Sequence, residues 1–388
     1  MTDRASPITG AQLARVLDLL APRADRRPRI VDAEPLGSQW APVTRLHLDV
    51  PVTGAGTSVV VKTTRRDGGA WGTVDWLHRG RAAADLLHGT GVAPLLLAAD
   101  DELELVVLSD AIGSTLESVL LAGDAAAATA AMVALGDTLG RMHAATVGME
   151  DTYRAGLARL GTAVPPDERF GMWTGVEGWD DIERAAAELG LPDATVARDD
   201  VAWVRSRLVD PGPLLVLTHT DLSPPNVVVG AGAAGVTLLD LEGSGFRHAG
   251  LDLAWLHFPF PNYSAHYAVL PPAVVEAADA AYRARFATST VAYGELLAVG
   301  CAACLVVRAQ RLRLLASAGQ DPHDSWRRRT QLRQQALVFV DVARRTGYLP
   351  ALARWFADLA DAMVERWPDT ANPPAPLFPA FPAFARRR

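Results

Sequence analysis

The stretch LVLTHTDLSPPNVVVGAGAAGVTLLDLEG, residues 215–243, decides the fold of this chain. It predicts two short apolar strands, Val227–Val229 and Val236–Leu241, joined by a turn of glycine and alanine. The segment before the first strand and the end of the second strand supply oxygen-bearing side chains. These are Asp221, Asn226, Asp240 and Glu242. The hairpin therefore gathers polar side chains beside apolar strands that hold them in place.

A set of this kind suits phosphoryl transfer. That reaction needs one carboxylate for the incoming hydroxyl group, together with an asparagine and an aspartate that hold magnesium. Hard oxygen ligands favour magnesium over a transition metal. The alternative interpretation is a surface turn rich in aspartate and asparagine between two strands, without chemistry of its own.

The order His219-x-Asp221, then Asn226, then Asp240-x-Glu242 resembles the Brenner-type motif of the aminoglycoside phosphotransferases and their relatives. Those relatives include choline, homoserine and fructosamine kinases, which share the protein-kinase fold and act on small molecules. The resemblance implies an α+β, bilobal protein-kinase-like fold. It would have a small N-lobe built on an antiparallel sheet and a larger, mostly helical C-lobe.

The resemblance also implies the organisation of the chain. Residues 1–108 would form the N-lobe that covers the nucleotide, and residues 109–113 the hinge. Residues 114–370 would form the helical C-lobe with the catalytic loop and the acceptor pocket. Residues 371–388 are rich in proline and alanine, and we expect them to form a tail on the surface or to be disordered.

The roles of the motif residues follow from the same resemblance. Asp221 would be the catalytic base, while Asn226 and Asp240 would bind the Mg²⁺ that bridges the phosphates of ATP or GTP. His219 would be structural and would bond to backbone groups and to Asp252. The latter residue, in the sequence LDLAW, falls where these families place a buried aspartate behind the catalytic loop.

Lys62 is the only lysine in the sequence, although lysine and arginine together number 37. A lysine retained in such a background indicates a position where the planar fork of a guanidinium does not suit. It ends the predicted strand Ser58–Lys62, which resembles the third strand of the kinase N-lobe, whose lysine holds the α- and β-phosphates. The alternative is a surface lysine without a role.

The next helix departs from the family pattern. We predict it at about Thr73–His88, where related kinases supply a glutamate that pairs with the lysine. The corresponding position holds Gly80, and the helix carries only two acids, Asp75 and Asp85. Either acid would substitute if the helix were shifted, or both would lie on a solvated face.

Two further segments are candidates for nucleotide binding. The first is EPLGSQ, where Ser38 and backbone N–H groups would meet phosphate oxygens, although an ordinary hairpin turn is the alternative. The second is the hinge, whose backbone groups recognise the adenine edge in related kinases. There we expect the contacts at Ser109, Asp110 and Ala111.

The acceptor pocket is predicted in the less patterned region after residue 148. Asp180 and Asp181 would form part of an acidic rim for an amine-bearing substrate. The alternative is that both acids begin a helix, where the helix dipole favours them. Glu242 would lie near the metals or the acceptor, or would simply close its loop.

Composition excludes some classes of protein. A net charge of −7 argues against nucleic acid as the main partner. The N-terminus lacks the plan of a signal peptide, and the longest apolar run, Leu296–Val307, is too short to span a bilayer. We therefore expect a cytoplasmic protein, without a membrane partner, that is a monomer or a homodimer. Cys301 and Cys304 lie one helical turn apart in an apolar context, which predicts buried residues and no metal site.

The sequence thus predicts an ATP- or GTP-dependent O-phosphotransferase. Its acceptor would be a small, hydroxylated and possibly cationic molecule, such as an aminoglycoside or other antibiotic, an amino alcohol or a sugar. The alternative is a pseudokinase or ligand-binding regulator, which the missing helix glutamate favours and the retained Lys62 and Asp221 oppose. A magnesium-dependent phosphoesterase would leave Lys62 unexplained.

Overall fold

The computed structural model describes residues 8–36, 42–64, 73–164, 168–169, 178–230, 235–258, 268–286, 290–316, 322–371 and 377–381. The chain forms two compact units. The first comprises Met1–Ser114, Met149–Val164 and Val228–Ser244, and the second comprises Thr115–Gly148, Pro165–Val227 and Gly245–Arg388. Each unit draws on three separate stretches of chain, so the lobe boundaries expected from the sequence remain a prediction.

Ten strands occur within the described residues. They are β1 (Ile30–Pro35), β2 (Val43–Val52), β3 (Gly56–Thr63), β4 (Leu96–Asp100), β5 (Leu105–Ser109), β6 (Gly113–Thr115), β7 (Leu215–Thr218), β8 (Val227–Gly230), β9 (Val236–Leu238) and β10 (Gly245–His248).

Thirteen α-helices occur in the same part of the chain. They are α1 (Gly10–Leu20), α2 (Val74–Leu86), α3 (Leu116–Leu121), α4 (Ala125–Thr146), α5 (Glu150–Arg159), α6 (Trp179–Glu188), α7 (Arg198–Val209), α8 (Gly250–His257), α9 (Pro272–Arg285), α10 (Thr290–Ala309), α11 (Leu312–Ala316), α12 (Pro322–Thr346) and α13 (Pro350–Arg366). Together with the sheets below, they confirm the predicted α+β class.

The first unit is built on a five-stranded sheet in the order β1-β2-β3-β5-β4, with every neighbouring pair antiparallel. Strands β2 and β3 alternate between buried and less buried residues, as expected for a sheet with one face on a core. On β3, Val59 and Val61 are buried among residues of α1. Since successive side chains point to opposite faces, Lys62 lies on the other face of the sheet.

Helix α1 begins at Gly10 because of a capping box. The hydroxyl of Thr9 accepts the Gln12 N–H, while the Gln12 side chain accepts the Thr9 N–H. The cap sets the direction of the helix, and its buried Val16 and Leu20 join the core of the sheet. This core holds β3 and therefore Lys62.

The second unit packs helices tightly around the short antiparallel pair β7 and β10. Helix α4 packs against both α9 and β7. The Thr146 hydroxyl at the end of α4 accepts the Leu217 N–H of β7 at 3.1 Å. Strand β7 ends at Thr218, so this packing fixes the point from which the loop with Asp221 departs.

The predicted apolar helix around Cys301 and Cys304 is confirmed as α10. It is long and apolar enough to cross a membrane by length and composition, but 83% of its apolar window is buried inside the protein. It packs against α8 and α12. This burial is typical of the core helix of a helical domain. Both cysteines are free and buried, and burial raises the pKa of each thiol.

Three expectations were wrong in detail. Strand β9 ends at Leu238, not at Leu241, because the chain turns at Asp240. Apolar spacing predicts one helix at about Tyr293–Ala316, whereas the structure divides that stretch into α10 and α11. In the C-terminal tail, Phe378, Ala380 and Phe381 are buried, and the Phe378 N–H donates to the Val269 carbonyl oxygen.

The close approach of α4 and α9 leads to a testable prediction. A Cβ atom at Gly136 would lie 2.0 Å from the Ala278 carbonyl oxygen, so the helices can approach only if residue 136 has no side chain. We expect Gly136→Ala to lower the free energy of unfolding by about 3 kcal/mol in urea denaturation, because the backbone must move apart.

The matched control is Gly156→Ala in α5, where the nearest atom to a new Cβ is 3.7 Å away. This change is expected to be neutral or to stabilise the protein by up to about 1 kcal/mol, since alanine favours a helix. Equal stabilities of the two variants would contradict the packing described here.

Candidate active site

In the first unit, Lys62 pairs with two carboxylates from a distant part of the chain. Its Nζ donates to Asp240 Oδ1 at 2.5 Å and to Glu242 Oε1 at 3.0 Å. The Lys62 and Glu242 side chains are 13% and 14% exposed, while that of Asp240 is 43% exposed. The inner pair is therefore shielded from water, and Asp240 lies at its open side.

The charges of this group act on one another. Burial lowers the pKa of an ammonium, but the negative charges of Asp240 and Glu242 outweigh it, so the pKa of Lys62 lies above its usual value. Burial raises the pKa of the Glu242 carboxyl, and the charge of Asp240 adds to this effect against the opposing charge of Lys62. Lys62 therefore stays charged.

The backbone at Asp240 brings both carboxylates to Lys62. Asp240 has φ 60° and ψ 56°, the left-handed conformation, which a short polar side chain tolerates better than most. A single 3₁₀ turn, Leu241–Gly243, follows directly. This turn replaces the end of the strand that the apolar pattern predicted.

Neither acid of α2 contacts Lys62. The Asp75 carboxylate accepts a hydrogen bond from the Thr162 hydroxyl at 2.9 Å, and Asp85 is exposed. The acids that accompany Lys62 are therefore Asp240 and Glu242, not Asp75 or Asp85. No local sequence signal marked Glu242 for this role, because it lies 180 residues from Lys62.

The predicted hinge residues lie at the end of β5 and just beyond it. The Ser109 N–H donates to the Leu95 carbonyl, and the Ser109 hydroxyl accepts the Leu95 N–H. The Asp110 carboxylate accepts hydrogen bonds from Arg45 at 2.7 and 3.2 Å and from Ser58 at 2.7 Å. These contacts hold Ser109 and Asp110 in place at the end of β5. Ser38 lies outside the described residues.

In the second unit, the loop after β7 brings Asp221 and Asn226 together as predicted. The Asn226 amide donates to the Asp221 Oδ2 and to the Asp221 carbonyl oxygen, each at 3.0 Å. The Ser223 hydroxyl donates to Asp221 Oδ1. Sequence reasoning missed Ser223, although a serine two residues after an aspartate is a common turn partner.

The same loop is held from behind by the buried carboxylate of Asp252. It accepts the His219 N–H at 2.6 Å and the Thr220 N–H at 2.9 Å. Thr220 has φ 70°, which is an outlier for a β-branched residue and costs about 1–3 kcal/mol. The predicted link between His219 and Asp252 is present, through the backbone of His219, while its ring Nδ1 accepts the Asp221 N–H at 3.3 Å.

A buried chain of hydrogen bonds extends from Asp252 into two helices. His143 Nε2 of α4 lies 3.2 Å from Asp252 Oδ2, and His143 Nδ1 lies 2.9 Å from the Tyr282 hydroxyl of α9. Burial raises the pKa of the Asp252 carboxyl, but the hydrogen bond and charge of His143 outweigh it, so its pKa lies below the usual value. His143 thus links the loop to both helices and has a structural role.

A second buried pair beside this loop was not found from the sequence. Arg247 of β10 donates to the Glu168 carboxylate at 2.9 Å and to the Glu168 carbonyl at 2.8 Å. Arg247 also donates to the Thr218 hydroxyl at 3.3 Å, at the end of β7. The pair thus ties residue 168 to the strand that precedes Asp221.

Asp180 and Asp181 lie in the first turn of α6, and both are exposed. Asp181 is paired with Arg184, one turn along the same helix. Acids at this position interact favourably with the helix dipole. Their position in the first turn of α6 agrees with the alternative that both acids begin a helix.

A sequence profile of the phosphotransferase enzyme family matches residues 50–293. No curated protein matches the chain. An ethanolamine kinase of Plasmodium vivax superposes with a TM-score of 0.50 at 12% identity, covering 80% of this chain and 83% of that one.

A choline/ethanolamine kinase family protein of Mesorhizobium loti has a TM-score of 0.47 at 18% identity, covering 85% of this chain and 92% of that one. The family profile and the Plasmodium vivax superposition confirm the protein-kinase-like fold expected from the motifs.

The contacts of Asp252 lead to a prediction on stability. In Asp252→Asn, the new NH₂ group would replace one of the two oxygens that accept the His219 and Thr220 N–H groups. One of these N–H groups would then face another donor and lack an acceptor in a buried site. We expect the free energy of unfolding to fall by about 3 kcal/mol in urea denaturation. The control Asp210→Asn, at an exposed position after α7, should change it by less than about 0.5 kcal/mol. Equal values for both variants would contradict the role of Asp252.

Proposed function

Because the chain belongs to the phosphotransferase enzyme family, we propose that it transfers the γ-phosphate of ATP or GTP to a hydroxyl group of a small molecule. The observation that carries this proposal is the pairing of Lys62 on β3 with Asp240 and Glu242. The matched region includes these three residues and the loop with Asp221. The pairing keeps an ammonium charged beside a carboxylate suited to a metal.

Asp221 is proposed as the catalytic base. Hydrogen bonds from Ser223 and Asn226 fix the direction of its carboxylate. A carboxylate held in this way can orient an acceptor hydroxyl and take its proton as the new bond to phosphorus forms. Since phosphoryl transfer depends mainly on positioning and electrostatics, the rigid loop behind Asp221 supports this role.

Lys62 is proposed to bind the phosphates of the nucleotide. Its ammonium is a compact charge with three donors, and it remains protonated in its carboxylate environment. The backbone of Asp110 and Ala111 is proposed to recognise the base, together with Ser109. Ser38 is proposed to contact the phosphate oxygens, because its segment EPLGSQ lies where related kinases carry the loop that covers the phosphates.

Asp240 and Asn226 are proposed as oxygen ligands for Mg²⁺. The Asp240 carboxylate fits a hard cation, since it is the most exposed member of its cluster. Asn226 donates both amide contacts to Asp221, so its Oδ1 is the atom suited to a cation. When bound, magnesium would neutralise negative charge on the nucleotide phosphates.

The acceptor is proposed to be a small hydroxylated molecule, with antibiotics, amino alcohols and sugars as candidates. The acidic balance of the chain is compatible with a cationic acceptor. Asp180 and Asp181 remain proposed contacts for the acceptor, and Asp181 would have to exchange its ion pair with Arg184 for such a contact. A cytoplasmic location and the choice between monomer and homodimer also stay predictions.

The first test is thermal unfolding with and without Mg-ATP or Mg-GTP. At a nucleotide concentration of about 100 times Kd, binding to the folded state adds about 3 kcal/mol to the free energy of unfolding. We expect this stabilisation in the wild type, only with magnesium present, and its loss in Asp240→Ala. The control is Asp85→Ala, which changes an exposed residue of α2 and should retain the stabilisation by Mg-nucleotide. No shift with either nucleotide would overturn the proposal in favour of a ligand-binding regulator.

The second test addresses the base. An ADP-release screen over antibiotics, amino alcohols and sugars would identify an acceptor, and Asp221→Asn would then be compared with the wild type. We expect turnover to fall by about a hundred- to ten-thousandfold, the usual contribution of a general base. The stabilisation by Mg-nucleotide should persist, because the variant keeps the shape of the side chain. Turnover close to that of the wild type would remove Asp221 from this role.

A further inference from the structure

By the resemblance of the motifs, Gly80 of α2 corresponds to the helix position where related kinases carry the glutamate that pairs with the lysine. A Cβ atom at residue 80 would lie 3.1 Å from Glu242 Cγ, 3.5 Å from Glu242 N and 3.6 Å from Glu242 Cα. A side chain at residue 80 would therefore point at Glu242, and Glu242 already occupies the space that it would fill. Helix α2 packs against the Leu241–Gly243 turn along this contact.

Glu242 reaches the same lysine from this position. Its Oε1 accepts from Lys62 Nζ at 3.0 Å, and both side chains are largely buried. Among the described acids of α2, Asp75 is bonded to Thr162 and Asp85 is exposed. The helix itself thus supplies no partner for the ammonium.

We propose that Glu242 is the positioning residue for Lys62, in place of a glutamate on α2, and that Gly80 provides the space it needs. The anchor of the lysine would thereby lie two residues from Asp240, on the same turn. The consequence for nucleotide binding rests on the proposed function, whereas the contact itself does not.

The two carboxylates on Lys62 would have different roles. Asp240 is a proposed metal ligand, so its pairing with Lys62 competes with metal binding. Glu242 can hold Lys62 whether or not Asp240 is engaged elsewhere. We therefore assign the permanent contact to Glu242 and the exchangeable one to Asp240.

The test moves the anchor back to the helix. Glu242→Ala removes the carboxylate and also the Cγ atom that is the tightest neighbour of a side chain at residue 80. The double variant Gly80→Glu with Glu242→Ala then places a carboxylate on α2, pointing toward the vacated space. Asp85→Ala is the matched control, because it removes an exposed acid from the same helix.

The first measurement needs no nucleotide. Lys62 is the only lysine, so labelling with [¹³C]lysine gives one ε-methylene signal from the whole protein. An anchored side chain gives two separate ε-proton shifts, and a freely rotating one gives a single averaged shift. We expect separate shifts in the wild type and Asp85→Ala, averaged shifts in Glu242→Ala, and separate shifts again in the double variant.

The second measurement is the Kd for Mg-ATP and Mg-GTP by calorimetry. Since a hydrogen bond to a charged group is lost, Glu242→Ala should weaken binding by about ten- to a hundredfold, and the double variant should recover most of it. Should Glu242→Ala fail to fold, Glu242→Gln replaces it in the comparison of Kd with the wild type, because it keeps the shape of the side chain and removes its charge. A Kd equal to that of the wild type would then contradict the role of the carboxylate.

The outcomes separate the two proposals. Separate ε-proton shifts and an unchanged Kd in Glu242→Ala would overturn the positioning role, as would a folded double variant that recovers neither property. If the wild type binds neither nucleotide, the proposed function fails. The ε-proton shifts would still decide whether Glu242 anchors Lys62.

Discussion

One buried carboxylate, that of Asp252, organises the second unit. It binds the backbone of His219 and Thr220 after β7 and is linked through His143 to α4 and through Tyr282 to α9. A carboxylate without exposed surface is stable only when its oxygens are hydrogen-bonded. The loop and both helices must therefore keep their positions together. This constraint also explains how the strained conformation of Thr220 persists next to Asp221.

In the first unit, the charge of Lys62 is the main electrostatic constraint. Lys62 lies on the face of the sheet opposite the apolar core, where its charge needs carboxylates nearby. The chain supplies them from the turn after β9, and the glycine at residue 80 leaves room for one of them. A guanidinium is wider and planar, so the same two contacts would require a different arrangement of the turn. This geometry agrees with the presence of a lysine, and not an arginine, at residue 62, in a sequence with no other lysine.

Several features were predictable because their signals are local. Helix α2 was predicted within two residues of its observed bounds, and β3 was predicted from a short apolar run that ends at Lys62. Other features had no local signal. The Arg247–Glu168 pair joins residues 79 positions apart, and the Lys62–Glu242 pair joins residues 180 apart. The turn at Asp240 was missed because apolar residues on both sides continued the strand pattern.

By itself, the sequence determined the α+β class, most helices and strands, the approach of Asp221 to Asn226 within one loop, and the family. These follow from hydrophobic periodicity and from short-range motifs, which act between neighbours in the chain. Only the tertiary structure decided which acids accompany Lys62, how Asp252 is linked through His143 to two helices, and which residue lies against Gly80. Such contacts depend on how segments that are distant in the chain pack together and exclude water, and a pattern of neighbouring residues does not encode this packing.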